Sequence, residues 1–469
     1  MAETRTEFDS LGPMAVPAGA LYGASTARAA RLVVAGRPLP ARVFHVYGAL
    51  KAACAQTHEA LGTLPPELAR AIAAAAEEVA DGRHDDHFVV DVYQTGSGTA
   101  VHMNVNEVIA TLANERLGHG RVTKAPGGVH PNDHVNLGQS SNDTFPTVMH
   151  ITCALALHEA LVPALDRLAR ALDDKARAAG DTVKIGRTHG MDAVPMFVRD
   201  VFFGYAAAAR NACTNAARAR DRLLCDVPLG GTAVGTGLGA PPGFAVAVLE
   251  RMSARYGLVF SQARNPVFAQ AAKDAFAEAH GHLRTAALGL AKIASDLRLL
   301  ASGPRGGLSE VRLPPVQPGS SIMPGKVNPV LCESVLQVVA RVLGNDAVVT
   351  GADLAGVGSL FELNTAMPVM LDAFLESVTL LARASERFEA DCVRGLAVDR
   401  ARCEALVERS LMLATALAPR IGYDRAAEVA QAAHAEGKTI REVVLERGLV
   451  PAAELDELLA PARLARGGQ

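Results

Sequence analysis

Large aromatic side chains are scarce in this chain: its 469 residues include no tryptophan, and aromatic residues make up only 4%. Hydrophobic residues nevertheless account for 49%, so the chain can bury a sizeable core. A core rich in alanine and leucine and poor in aromatic rings suits close packing between helices better than a β-sandwich. The composition therefore favours an all-α dominated fold, and the length allows two or three domains of roughly 150 residues each.

A strong net charge, long apolar runs and paired cysteines are also missing. The net charge of −3 provides no basic surface for nucleic acid. The N-terminal residues carry charges where a secretory signal would be apolar, and no uninterrupted apolar run approaches the roughly 18 residues that span a bilayer. The seven cysteines are scattered without CxxC spacing, which argues against disulfides and structural zinc. We therefore expect a soluble, cytoplasmic protein without nucleic-acid or membrane partners.

Five segments have the apolar periodicity of long helices and contain little glycine or proline. In the first, Leu157, Leu161, Leu165 and Leu168 recur every three or four residues. The predicted helices cover residues 150–179, 201–224, 273–301, 330–349 and 367–392. At about 30–45 Å each they predict one elongated bundle, and apolar residues on more than one face predict an oligomer. This divides the chain into a mixed, mainly helical domain (1–142), a central long-helix domain (143–392) and a small C-terminal helical domain (393–469).

Four short polar loops interrupt the apolar helices. They are rich in Gly, Ser, Thr, Asn and His, and most end where a helix is predicted to begin. Free backbone N–H groups and the positive end of a helix dipole then lie near their side chains, an arrangement that binds anions such as carboxylates. Each loop alone could be an ordinary turn or helix cap, but four together between rigid helices indicate a site. The loops are Thr95–Thr99, continuing to Glu107; His130–Asp133, continuing to Gln139–Asp143; Gly186–His189; and Gly319–Pro329.

The fourth loop has the most specific pattern. Lys326 is the lone cation in an otherwise neutral segment, and Asn328 is close enough to share an anionic ligand with it. Glycines and prolines bracket Ser320 and Ser321, as in a loop that opens and closes over a substrate. The segment is not a phosphate-binding P-loop, because Val327 stands where that motif has Ser or Thr.

Two further motifs do not support a cofactor or metal site. The glycine-rich segment 231–237 lacks the preceding strand that a dinucleotide-binding turn requires. His84 and His87 are spaced as metal ligands could be, but their segment is short and polar, which is typical of a solvated turn. We therefore expect neither a metal ion nor an organic cofactor.

These loops, in this order, resemble the aspartase/fumarase superfamily over essentially the whole chain. Gly319–Pro329 is similar to the superfamily signature, and its Pro-Gly-Lys-Val-Asn portion is the form found in class II fumarases. His130–Asp133, Ser140–Asp143 and Thr188-His189 also resemble class II fumarase, whereas segments 91–94 and 441–448 are more similar to aspartase. The resemblance implies a three-domain protomer with a central five-helix bundle. It also implies a homotetramer with a twenty-helix core and active sites shared among three subunits.

The resemblance further implies the reversible hydration of fumarate to L-malate through a carbanion. By position in the motifs, Ser320 resembles the catalytic base of the family, with Ser321 left as its neighbouring competitor. His189 resembles the second catalytic residue, and Glu333 resembles the partner that orients this histidine. The residues expected to bind the two carboxylates of the substrate are Ser97, Thr99, Ser140, Ser141, Asn142, Thr188, Lys326 and Asn328.

A second dicarboxylate site is implied at His130, Asn132 and Asp133. Class II fumarases often have a basic residue just upstream of this motif, and this chain has Ala-Pro-Gly-Gly at 125–128 instead. That difference predicts weaker binding at the second site.

Three departures from the class II fumarase pattern lie close to the expected pocket: at His102, at Gly190 and at residues 197–200, where Phe-Val-Arg-Asp replaces a Thr-Leu-Gly-Gln run. His102 stands where Asn is usual, which would change size and protonation near the substrate, and Gly190 stands where Leu is usual, which would open space. They leave open an ammonia lyase of the aspartase type, a lyase for a substituted or bulkier succinate, or neutral drift. A non-catalytic helical scaffold is the alternative of another class, and the joint presence of Ser320, His189 and Glu333 argues against it.

Overall fold

The structure is a computed structural model and describes residues 3–466. Helix dominates this range, which confirms the all-α prediction. The helices are α1 (Ala24–Ala29), α2 (Ala41–Ala60), α3 (Pro66–Ala80), α4 (Thr99–Arg116), α5 (Ser141–Ala156), α6 (Val162–Ala179), α7 (Val198–Leu224), α8 (Phe244–Tyr256), α9 (Pro266–Ala271), α10 (Asp274–Leu300), α11 (Val330–Asp353), α12 (Met367–Phe388), α13 (Arg400–Glu408), α14 (Ala418–Ile421), α15 (Tyr423–Glu436), α16 (Ile440–Glu446), α17 (Ala452–Leu458) and α18 (Pro461–Arg466).

The strands are short and pair only in antiparallel twos. They are β1 (Thr4–Asp9) with β2 (Gly12–Pro17), β3 (Val183–Thr188) with β4 (Met191–Phe197), β5 (Val311–Arg312) with β8 (Ala397–Val398), and β6 (Ser359–Leu360) with β7 (Leu363–Asn364). Such two-stranded ribbons are marginal by themselves, so helices or loops must support each of them.

The chain forms two compact units. The first contains the residues up to Val162, Thr214–Thr285 and Ala340–Leu380, and the second contains Pro163–Cys213, Ala286–Val339 and the residues from Leu381. Every boundary between them falls inside a long helix. This grouping differs from the three consecutive segments expected from the sequence, and the three-domain division stays a prediction.

All five predicted long helices are present. A π-helical turn, Leu157–Leu161, joins α5 to α6, so the first of them is continuous from Ser141 to Ala179. It begins earlier than predicted because Ser140 and Asp143 form a capping box. The Ser140 side chain accepts a hydrogen bond from the backbone of the first helical turn, and the Asp143 side chain accepts one from the Ser140 backbone N–H. The other four are α7, α10, α11 and α12.

Aromatic and polar contacts join the long helices inside the first unit. The Phe276 ring packs edge-on against His150 and Phe374, with ring centroids 4.9 and 5.9 Å apart. His280 hydrogen-bonds to Asp346 and to Ser377, at 2.9 Å each, and so links α10 to α11 and α12. Its imidazole is fully buried, and burial without such partners would be costly.

The β3–β4 hairpin is held by the C-terminal helices of the second unit. Val183, Ile185 and Phe197 belong to a buried cluster that includes Val407 from α13 and Leu417 before α14. The base of the hairpin is therefore anchored in an apolar core, and its tip carries the third of the predicted polar loops.

Two helical stretches have the length and composition of a membrane span, Ser141–Ala179 and Val330–Asp353. In the first, 72% of the most apolar window is buried inside the protein, as expected of a core helix. In the second only 39% is buried, so much of the apolar surface of α11 has no cover within the chain. An uncovered apolar helix agrees with the sequence-based expectation of an oligomer.

Candidate active site

The first group of predicted site residues lies where α4 and α5 begin, in the first unit. The Thr99 hydroxyl is 2.7 Å from the Ser97 hydroxyl and 2.7 Å from the Ser141 hydroxyl, so the three form a hydrogen-bonded chain. Thr99 is the first residue of α4 and Ser141 the first residue of α5. The hydroxyls therefore lie beside backbone N–H groups that have no partner within their helices, as an anion site requires.

Gly98 allows these two helix ends to approach each other. It adopts a left-handed conformation with φ of 73°, and a Cβ atom there would lie 2.3 Å from the Phe145 ring of α5. A side chain at this position would be strained and would overlap the ring. In the Gly-Ser-Gly-Thr motif, the second glycine is therefore required for steric reasons, and the serine and threonine supply the hydroxyl groups.

A buried carboxylate fixes the start of α5. One Asp143 oxygen accepts a hydrogen bond from the Ser140 N–H at 2.9 Å, and the other accepts from the N–H groups of Gly230 and Thr232, both at 3.0 Å. Burial raises the pKa of Asp143 to about 6, although these donors act in the opposite direction. Asn142 adds a hydrogen bond from its amide to the carbonyl of Ala233, at 2.8 Å. The glycine-rich segment 231–237 therefore contacts the start of α5 at Asn142.

Lys51 lies beneath the same loop and was not predicted. Its ammonium is fully buried and donates to the side-chain oxygens of Gln139, at 2.9 Å, and Asn136, at 3.3 Å. Burial lowers the pKa of Lys51 to about 8. Asn136 and Gln139 immediately precede Ser140, so Lys51 supports the approach to the cluster of hydroxyl groups. Lys51 lies in the long buried helix α2, where sequence periodicity does not distinguish it from snorkelling surface lysines.

His102, one of the departures from the family pattern, lies in a buried polar network. Its ring is buried, with Nδ1 3.0 Å from both the Tyr47 and Thr144 hydroxyls and Nε2 3.0 Å from the Asn106 amide. Burial lowers the pKa of His102 well below its ordinary value, so the ring is neutral at physiological pH. His102 is therefore a neutral member of a buried polar network, and its effect on the substrate stays a prediction.

The residues of the expected second dicarboxylate site form a surface cap. His130 Nδ1 accepts hydrogen bonds from the N–H groups of Asn132, at 3.2 Å, and Asp133, at 3.1 Å, and so caps the short π-helix Pro131–Val135. The Asn132 and Asp133 side chains are exposed. The three residues are thus brought together, and binding of a dicarboxylate there stays a prediction.

The second group lies in the second unit and includes the tip of the β3–β4 hairpin. Thr188 pairs with Met191, which leaves His189 and Gly190 as a two-residue turn with φ of 56° and 76°. Positive φ at both positions is what a type I′ hairpin turn requires, and glycine accepts it at no steric cost. Thr188 and His189 are exposed. Gly190 therefore shapes the turn that presents His189.

The loop with the superfamily signature closes on itself. The Gly319 N–H donates to the Lys326 carbonyl at 2.8 Å, and the Asn328 amide donates to the Gly319 carbonyl at 2.7 Å. A Cβ atom on Gly319 would lie 2.6 Å from that Lys326 oxygen, so only glycine allows this closure. The Lys326 side chain is exposed at the surface of the loop.

The two adjacent serines differ in their contacts. The Ser320 hydroxyl oxygen accepts hydrogen bonds from the N–H groups of Ile322, at 3.2 Å, and Met323, at 3.0 Å. Ser321 is exposed, and its side chain makes no hydrogen bond to any residue that the structure describes. Hydrogen bonds to a charged form favour that form, so these N–H groups would stabilise a Ser320 oxyanion. The geometry favours Ser320 over Ser321.

The predicted contact between His189 and Glu333 is not made within one chain. Glu333 lies in the first turn of α11 and is half-buried. Across residues 3–466, neither side chain takes part in a hydrogen bond or an ion pair. Both groups are therefore available to a substrate or to another copy of the chain.

Comparisons with known proteins agree with this arrangement of loops. A family model described as "Lyase" matches residues 12–344, and one described as "Fumarase C C-terminus" matches residues 413–466. A class II fumarate hydratase of Pseudomonas aeruginosa is 47% identical over 466 residues, which cover 99% of each chain. One of Methylorubrum extorquens is 49% identical and covers 98% of this chain and 96% of its own length. The chain belongs to the class II fumarase family.

A solved structure of the class II fumarase family has the same fold. The crystal structure of the class II fumarase of Schistosoma mansoni matches this chain with a TM-score of 0.94, at 37% identity and with full coverage of both chains. Membership of the family explains why the four polar loops occur together. Family membership does not by itself explain the conformation of Gly190 or the surroundings of Lys51, which depend on the structure of this chain.

The turn at Gly190 generates a prediction for this class II fumarase family member. Gly180 also has a positive φ, of 55°, and a Cβ atom added at either glycine would meet no other atom within 4 Å. Gly190→Ala and Gly180→Ala should therefore each cost about 1–2 kcal/mol of stability from backbone strain. Only Gly190→Ala should lower kcat, by about ten-fold or more, because it moves His189. Thermal unfolding and steady-state kinetics of both variants measure this; equal kcat values would contradict the role of the turn.

Lys51 generates a prediction about pH. Its pKa is about 8 when folded and 10.5 in the unfolded reference, so between these values the unfolded chain binds one more proton. The free energy of unfolding of the native protein, relative to a Lys51→Met variant, should therefore rise by roughly 3 kcal/mol as pH increases from 7 to 11. Denaturant unfolding at fixed protein concentration measures the difference. A difference that does not change with pH would mean that Lys51 is not buried as a cation.

Proposed function

We propose that this chain catalyses the reversible hydration of fumarate to L-malate. The observation that carries the proposal is the Ser320 hydroxyl, which accepts hydrogen bonds from two backbone N–H groups in a loop that also exposes Lys326. The names of the full-length relatives, which are class II fumarate hydratases, support the same reaction.

The reaction needs a base for a very weakly acidic C–H bond. In the direction of dehydration, the Ser320 oxyanion takes the proton from the carbon next to a carboxylate of malate, and the electron pair moves into that carboxylate. Lys326 supplies the nearby positive charge for the resulting dianion. Hydroxide then leaves from the neighbouring carbon as water, with a proton delivered through a water molecule held by His189. Fumarate remains, and addition of water reverses each step.

The other predicted residues provide hydrogen bonds to the carboxylates. The hydroxyls of Ser97, Thr99 and Ser141 and the amide of Asn142 lie together at the starts of α4 and α5. We infer that they bind one carboxylate, with Ser140 holding the helix end as its cap. Thr188, Lys326 and Asn328 would bind the other.

A lyase for a substituted succinate is the second candidate. The observation that favours it is the open space around Gly190, where an added Cβ meets no atom within 4 Å. A substituent on the substrate could occupy that space. An aspartase-type ammonia lyase would need the same base and the same carboxylate contacts, and only the leaving group would differ.

We further propose a cytoplasmic homotetramer with a twenty-helix core, in which three chains contribute to each active site. Two features support it: the apolar face of α11 that the chain leaves uncovered, and the side chains of His189 and Glu333, which have no partner across residues 3–466. A His189 ring from one copy facing Glu333 of another would satisfy both groups. The predicted three-domain division, at 142 and 392, suits such an assembly.

Substitution of the two serines tests the reaction and the base. Ser320→Ala should lower kcat by about 10²–10⁴-fold because it removes the base, whereas Ser321→Ala is the matched control and should stay within a few-fold. Fumarate formation at neutral pH is followed by absorbance, with L-malate and L-aspartate offered separately. Activity on aspartate alone would establish an ammonia lyase. Inactivity on both, from a folded protein, would point to another dicarboxylate.

Mixing inactive variants tests whether chains share sites. If His189 and Ser320 of one site come from different chains, random tetramers of His189→Ala and Ser320→Ala should regain about a quarter of wild-type activity. Ser320→Ala mixed with Lys326→Ala is the control. Both residues lie in one loop of one chain, so every loop in this mixture carries one of the two substitutions and no site should regain activity. Recovery in neither mixture would mean that His189 and Ser320 of each site come from the same chain.

A further inference from the structure

The tip of the β3–β4 hairpin is attached to the rest of the second unit by a buried ion pair. Arg187 lies two residues before His189, and its guanidinium donates to both oxygens of Glu310, at 2.8 and 3.0 Å. The Glu310 side chain is only 1% exposed. A two-pronged contact between a guanidinium and a carboxylate fixes direction as well as distance. It can therefore restrict how the hairpin tip turns.

The pairing of β3 with β4 is irregular next to this contact. The register between β3 and β4 shifts between Ile185 and Arg187, at Gly186, where a Cβ atom would lie 2.7 Å from the Val194 carbonyl. In a regular strand, residues three apart face opposite sides. Lys184, three residues before Arg187, nevertheless reaches the same carboxylate through its long side chain, with its ammonium 3.5 Å from Glu310.

Glu310 itself is held at both ends of its backbone. Its N–H donates to the carbonyl of Leu300 at the end of α10, at 2.9 Å, and its carbonyl accepts from the N–H of Asp399, at 2.9 Å. Asp399 in turn caps α13 by accepting from the Arg402 N–H at 3.0 Å. The carboxylate is therefore a fixed point, supported by two helix ends.

We propose that Glu310 is a positioning residue for His189 and that it acts through Arg187. The apolar core holds the base of the hairpin through Val183 and Phe197, and the ion pair holds the other end. Because His189 lies in an exposed two-residue turn, the ion pair is the last fixed contact before the imidazole. The inference rests on the proposed function, in which His189 delivers a proton in the transition state. It predicts an effect on kcat more than on KM, since misplacing a reacting group by about 1 Å can cost about 10²-fold.

Two conservative substitutions test the proposal. Glu310→Gln keeps the shape of the side chain and removes its charge, and we expect kcat to fall about 10–100-fold with KM within about three-fold. Arg187→Lys keeps the charge but loses the two-pronged contact, so its kcat should be intermediate. Arg199→Gln, which breaks the exposed Arg199–Asp181 pair at the base of the hairpin, is the control and should leave kcat unchanged.

A variant that restores folding separates positioning from stability. Removing one partner of a buried ion pair can destabilise a protein, whereas replacing the whole cluster with apolar side chains is often tolerated. Lys184→Met/Arg187→Met/Glu310→Met should therefore unfold at a temperature closer to that of the native protein than Glu310→Gln does, while kcat stays low. Recovery of kcat together with the unfolding temperature would overturn the proposal.

A double-substitution experiment shows whether Glu310 acts through His189. If it does, Glu310→Gln should lower kcat in the native protein but have little further effect in a His189→Asn background. An equal fall in both backgrounds would contradict the proposal. Amide hydrogen exchange of the peptide 186–191 gives a readout that does not need activity, and Glu310→Gln should accelerate it. Inactivity of the native protein on malate would refute the proposed function, while unchanged exchange would refute the role of Glu310.

Discussion

Burying a carboxylate is costly unless N–H donors or cations face it, and each of the two groups of site residues depends on one such carboxylate. In the first unit, Asp143 accepts backbone N–H groups from the start of α5 and from the glycine-rich segment. In the second unit, the Glu310 carboxylate forms ion pairs with Arg187 and Lys184. These buried anions orient loops that have little apolar surface of their own. Loops held in this way can keep their reactive side chains exposed.

The groups proposed to react are accordingly the ones with few partners. The Ser320 hydroxyl accepts hydrogen bonds from N–H groups of its own loop, while His189 and Lys326 are exposed. A catalytic group already paired inside the chain would have to break that pair before it could act. Buried polar residues of the first unit, His102 and Lys51 among them, are hydrogen-bonded instead and supply rigidity there. The exposed side chains are therefore free to contact a substrate.

The sequence predicted the long helices and the family, but it was less informative about individual contacts. Periodic leucines identified the first long helix, yet its start at Ser141 required the capping box to be recognised. His102 was noted only as a departure from the family pattern, and its burial and its hydrogen bond to Thr144 could not be read from the sequence. Asp143, Lys51 and Glu310 were missed as anchors, because their partners are backbone groups or residues distant in the chain.

The amino-acid sequence by itself determined the helical class and the chemical types in the four loops, because periodicity and local turn chemistry act between residues close in the chain. It identified Gly190 only as a residue that would open space, and the two-residue turn at His189 and Gly190 came from the structure. Only the tertiary structure decided that the Ser320 hydroxyl, rather than that of Ser321, accepts hydrogen bonds from two N–H groups, and that the Arg187 guanidinium contacts the Glu310 carboxylate, 123 residues away in the chain. Those outcomes depend on the path of the backbone in space, which residue order alone does not specify.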